Sequence, residues 1–421
     1  MSQKRSKACT QNYAAILKLQ GRGNRRMRVL DRYLGIPLVF LAGCCRRKRA
    51  IPVRPRRIGL LNTAAIGDTV LMSGPLADLR AAYPEAQIVY FSGPSNYEAA
   101  CLLEGADLVV KLPVFSPVHA IRQVREHKID LLLDFGPWCR LNAIITIFSG
   151  ADFIAGFRTG EQGRHFGYDL VVDHSEDAHE LENHRGLIRA LGIRPSHPPL
   201  LRCDQGGNQK VYDFSRRFVV FHLWPGGSGA RHKLWPLGRW VALAEDLAID
   251  RYDVVFTAAA DQQQLNDSVI NAVNPSLRSR MRNAAGLSLR ETLRLLARAD
   301  LVVSVDTGVM HMAAALGVSL VALHGPSSPG RWGPIGEKAT VVEAATSGCG
   351  FLSLGFEKAR GASPCMNAIS YGTVKGVCNA LLGKPNSSGE EPAQVPLYVQ
   401  SPGNPSAVAP SDVDRLSGVG R

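Results

Sequence analysis

Leu301-Val-Val-Ser-Val-Asp306-Thr307-Gly308-Val-Met-His311-Met-Ala-Ala-Ala-Leu-Gly317, followed by Leu320-Val-Ala-Leu-His324-Gly325-Pro326, reads as a buried strand, a turn, a small-residue helix and a second buried strand. Near-continuous apolar strands alternating with helices belong to parallel sheets covered on both faces, which makes the chain α/β. Asp306-Thr307-Gly308 falls where strand gives way to helix. The Thr307 hydroxyl and Gly308 N–H then lie at the helix's positive end, where phosphate oxygens are favoured. His311, one turn further in, can face the same place. Two plainer readings stand beside these: Asp306 as a helix N-cap, and His311 as a satisfied core histidine.

Outward from that stretch the same alternation repeats. Strands are expected at Ile58–Asn62, Ala86–Phe91, Asp107–Leu112, Asp130–Phe135 and Phe153–Phe157. After a Pro- and Gly-containing linker over 194–208 the pattern restarts at Phe218–Leu223 and continues through Asp253–Thr257. A helix over Leu289–Ala299 opens on a Ser288-x-x-Glu291 capping box. The 421 residues therefore divide into a basic arm (1–55), one α/β domain (56–205), a second (206–383) and a Pro-, Ser- and Gly-rich tail (384–421) expected to be disordered. Ligands are expected in the cleft between the domains, at the carboxyl ends of their strands.

Three loops carry candidate chemistry. Asn62-Thr-Ala-Ala-Ile-Gly67-Asp68 follows the first strand and opens a helix; Gly67 permits a tight turn and Asp68 reaches the mouth of the cleft, as a general base or as a helix cap. Gly226-Gly227-Ser-Gly-Ala-Arg231-His-Lys233-Leu-Trp235-Pro236 is a small-residue loop with cations ahead of a helix beginning near Leu237. Its backbone N–H groups suit a diphosphate and Lys233 supplies point charge. Arg158-Thr-Gly-Glu-Gln-Gly-Arg164-His165 is basic and offers Arg158 and Arg164 to an anionic acceptor, or is a solvated surface loop.

The net charge of +13 is concentrated at one end: residues 1–57 hold 16 Lys and Arg against the single acid Asp31, leaving 33 basic and 35 acidic residues after them. With no zinc-finger, helix-turn-helix or RNP-like pattern, this argues against a nucleic-acid partner and for a surface-tethering segment. Tyr33–Cys45 is apolar but interrupted by Gly35, Pro37 and Gly43, and is shorter than the roughly 20 residues a spanning helix needs. Flanked by Arg25, Arg26 and Arg28 and by Arg46-Arg-Lys-Arg49, residues 22–57 read as an anchor on an anionic membrane surface, with a helix packed on the first domain as the alternative. Leu41-Ala-Gly-Cys44 is similar to a lipoprotein cleavage box, but the basic run directly after it opposes export. Nine scattered cysteines without a CxxC pair indicate reduced thiols, with neither a disulfide framework nor a metal site.

Taken together, Gly67-Asp68, Lys233-x-Trp235-Pro236, Asp306-Thr307-Gly308-x-x-His311, Gly325-Pro326 and Pro364-Cys365-Met366 resemble the heptosyltransferase family over roughly residues 56–380. The resemblance implies a GT-B fold of two Rossmann-like domains, and an inverting, metal-independent enzyme without a cofactor. It would move heptose from an ADP-heptose donor to a lipid-linked glycan such as lipopolysaccharide core, at the inner face of the cytoplasmic membrane. It makes Asp68 the catalytic base, and Lys233, Gly226, Gly227, Asp306, Thr307, Gly308 and His311 the donor and phosphate site. Where relatives place a ribose-binding glutamate, this chain offers Asp261 and Gln262. The competing classes are a catalytically silent sugar-nucleotide-binding protein and a nucleotide-sugar epimerase on a similar scaffold, which would need further acid and base groups in the cleft.

Overall fold

The structure is a computed structural model describing residues 25–44, 46–63, 65–160, 162–203, 216–227, 229–353 and 365–383. The expectations for residues 1–24, for the end of the linker, for Pro364 and for the tail lie outside the described residues.

Two six-stranded, wholly parallel sheets organise the chain. The first contains β1 (Arg57–Asn62), β2 (Gln87–Ser92), β3 (Leu108–Lys111), β4 (Leu131–Asp134), β5 (Phe153–Arg158) and β6 (Leu170–Asp173), in the order β3-β2-β1-β4-β5-β6. The second contains β7 (Phe218–His222), β8 (Asp253–Ala258), β9 (Met281–Ala285), β10 (Leu301–Val305), β11 (Leu320–His324) and β12 (Ala339–Glu343), in the order β12-β11-β10-β7-β8-β9. Read from its own first strand, each sheet has the same doubly wound, Rossmann-like order. The winding reverses between β1 and β4 and again between β7 and β10, and it is there that a crevice opens at the carboxyl ends of the strands. Inner strands β4, β7, β10 and β11 are buried at every residue, which is why their sequences are almost unbroken runs of Leu, Val, Ile and Phe.

β6, β9 and β12 were not expected from the sequence, and all three are outermost strands. With a neighbour on one side only, Leu-Val-Val-Asp, Met-Arg-Asn-Ala-Ala and Ala-Thr-Val-Val-Glu need less apolar surface than an inner strand does. The helix after Ser288 runs Leu289–Ala297, with its capping box formed as expected.

The apolar part of the arm is a single helix, Arg25–Cys44, with Pro37 inside it. Two of its expected interruptions are contact points. A Cβ on Gly35 would stand 2.9 Å from Cδ of Arg140, and one on Gly43 would stand 2.6 Å from the Phe166 carbonyl oxygen. Val39 is fully buried against the first domain and Asp31 pairs with Arg140 at 3.0 Å. Tyr33, Leu38, Phe40 and Leu41 remain exposed. Arg46 and Arg49 fold back onto Asp169 and Asp152 at 2.9 and 2.6 Å, so part of the basic cluster is spent on the body, while Arg47 and Lys48 stay exposed. Among the described residues no helix is long and apolar enough to cross a membrane.

Two further expectations change. Cys349 and Cys365 form a disulfide with Cα atoms 5.8 Å apart, a pairing their separation of 16 residues does not announce. Arg164 is not available to an acceptor: it is completely buried, with Nη2 2.6 Å from Oδ2 of Asp134, and Tyr168 donates to the same carboxylate oxygen at 2.6 Å. Its charge neutralises Asp134 at the end of β4. Arg158 is exposed and held by both oxygens of Asp173 at 2.5 and 2.8 Å.

Replacing Arg164 with Ala strands the Asp134 carboxylate in the core, and denaturant melts should show a loss of about 3–5 kcal/mol. Protonation relieves a buried carboxylate, so the loss should be largest at neutral pH and shrink in acid. A variant as stable as wild type would show that Asp134 needs no counter-charge.

Candidate functional site

A cleft of about 1020 Å³ separates the two sheets. Its walls include Asn62, Gly67 and Asp68 after β1, Phe135, Pro137 and Trp138 after β4, Gly226, Gly227 and Lys233 after β7, and Asp306, Thr307, Gly308 and His311 after β10. A smaller concavity of about 430 Å³ at Arg56, Arg57 and Asp130 lies at the amino ends of β1 and β4, the opposite edge of the sheet.

Asp68 is the third residue of the helix Ile66–Leu71, whose N-cap is Ala65, so it is not the N-cap residue, although its carboxylate accepts from the backbone N–H groups of Ala65 and Asp68 at that helix start. Burial, then the negative charges of Glu180 and Asp306, raise its carboxyl to about 7. Such a group can hold or release a proton near neutral pH, as a general base must.

Opposite it, Lys233 Nζ is 2.6 Å from Asp306 Oδ2, and both side chains are largely shielded from solvent. Burial works to raise the Asp306 carboxyl, but Lys233 and His324 hold it well below the usual carboxylate range. Thr307, not Asp306, is the N-cap of the helix Gly308–Ala315, so the N-cap alternative for Asp306 fails as well. His311 is buried and its ring pKa is drawn down by burial to about 3, despite Asp306 nearby, which leaves a neutral imidazole facing the cleft. Gly227 and Gly229 adopt φ values of 84° and 74°, the left-handed region that permits the tight loop between β7 and Lys233.

The two halves meet through two glycines. The helices Ile66–Leu71 and Gly308–Ala315 pack directly on each other across the cleft. A Cβ on Gly67 would lie 2.7 Å from Cδ2 of His311, and one on Gly308 would lie 2.7 Å from Cβ of Ile66. Gly67 is therefore there for close approach, not for the tight turn expected of it. The same contact brings Asp68 to the residues that follow β10.

Gln262 lines the cleft, its Oε1 accepting from the Ala259 N–H at 3.1 Å, whereas Asp261 is exposed and outside the lining. Several lining residues were not foreseen: His222, bonded to the Thr257 hydroxyl at 2.9 Å; Ser288 and Glu291 of the capping box; and Glu180, His184, Trp138 and Trp332. The capping box was visible as a helix start, but nothing in its sequence says that it opens into a cleft.

The sequence profile of Glycosyltransferase family 9 (heptosyltransferase) matches residues 118–350, more than half of the chain. Lipopolysaccharide heptosyltransferase 2 of Escherichia coli K12 is 25% identical over 313 residues, 69% of this chain and 88% of that protein. Lipopolysaccharide heptosyltransferase 2 of Salmonella typhimurium is 36% identical over 168 residues, 38% of this chain and 48% of that one. In three dimensions the chain is similar to E. coli ADP-heptose lps heptosyltransferase II, with a TM-score of 0.65 and 24% identity over 77% of this chain and 98% of that one. It is also similar to a glycosyl transferase family 9 protein of Veillonella parvula, with a TM-score of 0.66 and 19% identity over 79% and 99%. The fold is that of the GT-B proteins, two Rossmann-like units across a cleft.

Alanine is favoured over glycine inside a helix by about 0.5–1 kcal/mol, but a Cβ at Gly67 would stand 2.7 Å from the buried His311 ring and overpacking of that kind costs about 1–3 kcal/mol, so Gly67→Ala should stay folded with a melting temperature equal to or somewhat below that of wild type. Turnover should nonetheless fall by about 10²-fold, since the new methyl forces His311 and Asp68 apart. Wild-type turnover in this variant would show that the contact does not set the geometry.

Proposed function

The chain belongs to glycosyltransferase family 9, and on that premise we propose that it transfers heptose, with inversion, from an ADP-heptose donor to a lipid-linked glycan such as lipopolysaccharide core. Membership does not favour the silent binding protein or the epimerase. Residues 56–205 form the acceptor-side domain and 206–383 the donor-side domain. The observation that carries the mechanism is the meeting of Asp68 with the Lys233, Asp306 and Thr307 cluster across one cleft.

In this reading the acceptor hydroxyl gives its proton to Asp68 as its oxygen attacks the anomeric carbon of the donor. The bond from that carbon to the diphosphate breaks on the opposite face, and ADP leaves with the bonding electrons. Charge growing on the leaving phosphate meets Lys233, the backbone N–H groups around Gly226 and Gly227, and the positive end of the helix Gly308–Ala315 with the Thr307 hydroxyl. These protein cations and dipoles do the work a metal would otherwise do. Lys233 rests on Asp306, so it is already oriented and can turn part of its hydrogen bonding to the diphosphate. Neutral His311 donates or accepts one hydrogen bond to the donor without adding charge.

The exposed face of the helix Arg25–Cys44, with Tyr33, Leu38, Phe40 and Leu41 beside Arg47 and Lys48, supports a peripheral seat on an anionic membrane at the cytoplasmic side. Replacing Leu38 and Leu41 with Asp should reduce co-sedimentation with anionic vesicles while transfer to a detergent-dispersed acceptor persists. Equal sedimentation of both proteins would remove the helix from that role.

Asp68→Asn keeps the shape but cannot take a proton, and kcat should drop by about 10²–10⁴-fold with donor affinity retained. For the wild type the base is the ionised form, so kcat/KM should rise with pH up to a plateau above about 7 and fall below it. A rate flat across about pH 5–9, or full activity in Asp68→Asn, would remove Asp68 as the base.

A further inference from the structure

The residues assigned above to the donor occupy only part of the cleft. The part reached from β4 is walled by Trp138 and Phe135, by Glu180 and His184 of the helix Glu180–Ala190, and by Trp332 and Ser353 from the other domain. The chain has five tryptophans. Trp224, Trp235 and Trp240 are at most 2% exposed, whereas Trp138 and Trp332 are only half-buried and both border this space.

Both indoles are held by one side chain. The guanidinium carbon of Arg331 is 5.8 Å from the centre of the Trp138 ring and 5.1 Å from that of Trp332, so the cation lies against two aromatic faces contributed by opposite domains. Arg331 is 4% exposed; its Nη1 donates to the Glu176 carbonyl at 2.8 Å and to the Ser353 hydroxyl at 2.6 Å, and its Nη2 is 4.0 Å from Glu180. Trp332 is pinned by its own N–H to the Ser353 carbonyl at 2.7 Å, and His174 meets Trp138 edge-on at 5.4 Å. His179 and the Gly333 carbonyl close the same seam at 3.0 Å. This much fixation of two half-exposed indoles is more than core packing requires.

We propose that Trp138 and Trp332, positioned by Arg331, are the walls of the acceptor subsite and bind a pyranose ring of the acceptor glycan beside Asp68. This rests on the transferase reading above. A pyranose presents C–H groups on its faces and hydroxyls around its rim. Indole faces bury the former, and the Glu180 carboxylate, which lines the same space, accepts from the latter. The rival occupant for an indole is the nucleotide base. That end of the cleft is lined instead by Ala258–Ala260, Gln262, Gly286 and Leu287, which follow β8 and β9 in the other sheet.

The test is steady-state transfer by the full-length protein with heptose-deficient lipopolysaccharide core as acceptor and ADP-heptose as donor, each varied in turn, for wild type, Trp138→Ala, Trp332→Ala and the two Phe variants. The acceptor KM should rise about tenfold in the Ala variants and recover in the Phe variants, while the donor KM stays within about twofold. An unchanged acceptor KM, or a donor KM that rises equally, overturns the proposal. Should an Ala variant fail to fold, wild-type indole fluorescence decides: titration with delipidated core glycan without donor should change the emission, and the Trp332→Phe protein should show a smaller change. No change in wild type overturns it too. If wild-type protein transfers heptose and these effects are absent, only the subsite assignment fails; if wild type transfers to no acceptor, the transferase reading itself fails.

Discussion

Everything in the site depends on two helices approaching more closely than side chains would permit. Gly67 and Gly308 are the points of contact, and their absent Cβ atoms are filled by His311 and Ile66 from the opposite domain. A β-carbon at either position would need a shift of the whole helix, because the neighbours are a buried ring and a backbone-proximal branch, not flexible chain ends. The consequence is electrostatic as well as steric. Asp68 and Asp306 come near enough for each to bear on the other, yet their environments drive them apart: Lys233 keeps one ionised, while burial and Glu180 hold the other close to neutrality. Two carboxylates with separated proton affinities in one cleft are a recurrent means of giving one group a proton-transfer task and the other a fixed charge.

How much of this was legible in the sequence follows from burial. Most of the strands that could be read, such as Leu301–Val305 and Leu320–His324, are inner strands covered on both faces and so carry a continuous apolar signal; the edge strand β3 was read from its Leu-Val-Val run. The strands that could not, β6, β9 and β12, are all edges, where polar residues are tolerated. Asp68, Lys233 and the Thr307-Gly308 turn could be picked out because backbone-led chemistry leaves local marks: a glycine, a cation, a strand that stops. Glu180, Trp138 and Trp332 left none, since what places them is the docking of one domain on another. Arg164 was misread for a related reason. A basic loop looks solvated in sequence, but its fully buried partner Asp134 is 30 residues away.

The arm shows the same limit. Gly35 and Gly43 looked like interruptions of an apolar run, yet each lets the helix lie against the first domain, at Arg140 and Phe166. The two readings of this segment, membrane anchor and packed helix, are not exclusive: Val39 is buried on the body and Phe40 meets Phe166 edge-on at 5.2 Å while half-exposed, whereas Tyr33, Leu38 and Leu41 face outward. A helix seated on its own domain has already lost its conformational freedom, so any surface it binds need not supply that ordering.

The two sheets share one strand order, and this decides which loops face each other across the cleft. In each sheet the winding reverses between two strands, β1 and β4 in one and β7 and β10 in the other, and loops leaving those strands meet in the crevice, while segments after β6, β8, β9 and β11 also line its walls. Asp68 follows β1 and Trp138 follows β4; the loop carrying Gly226 and Lys233 follows β7, and Asp306 to His311 follow β10. The cleft is thus two reversal points facing each other, with Asp68 and Trp138 on one side and the Gly226-Gly227 loop and the Lys233–Asp306 ion pair on the other. Neither sheet alone brings Asp68 to Lys233 and Asp306. The contact at Gly67 and Gly308 joins the β1 loop to the β10 loop, and the contact at Arg331 joins the β4 loop to the segment after β11, so the seams that hold the domains together are themselves parts of the site.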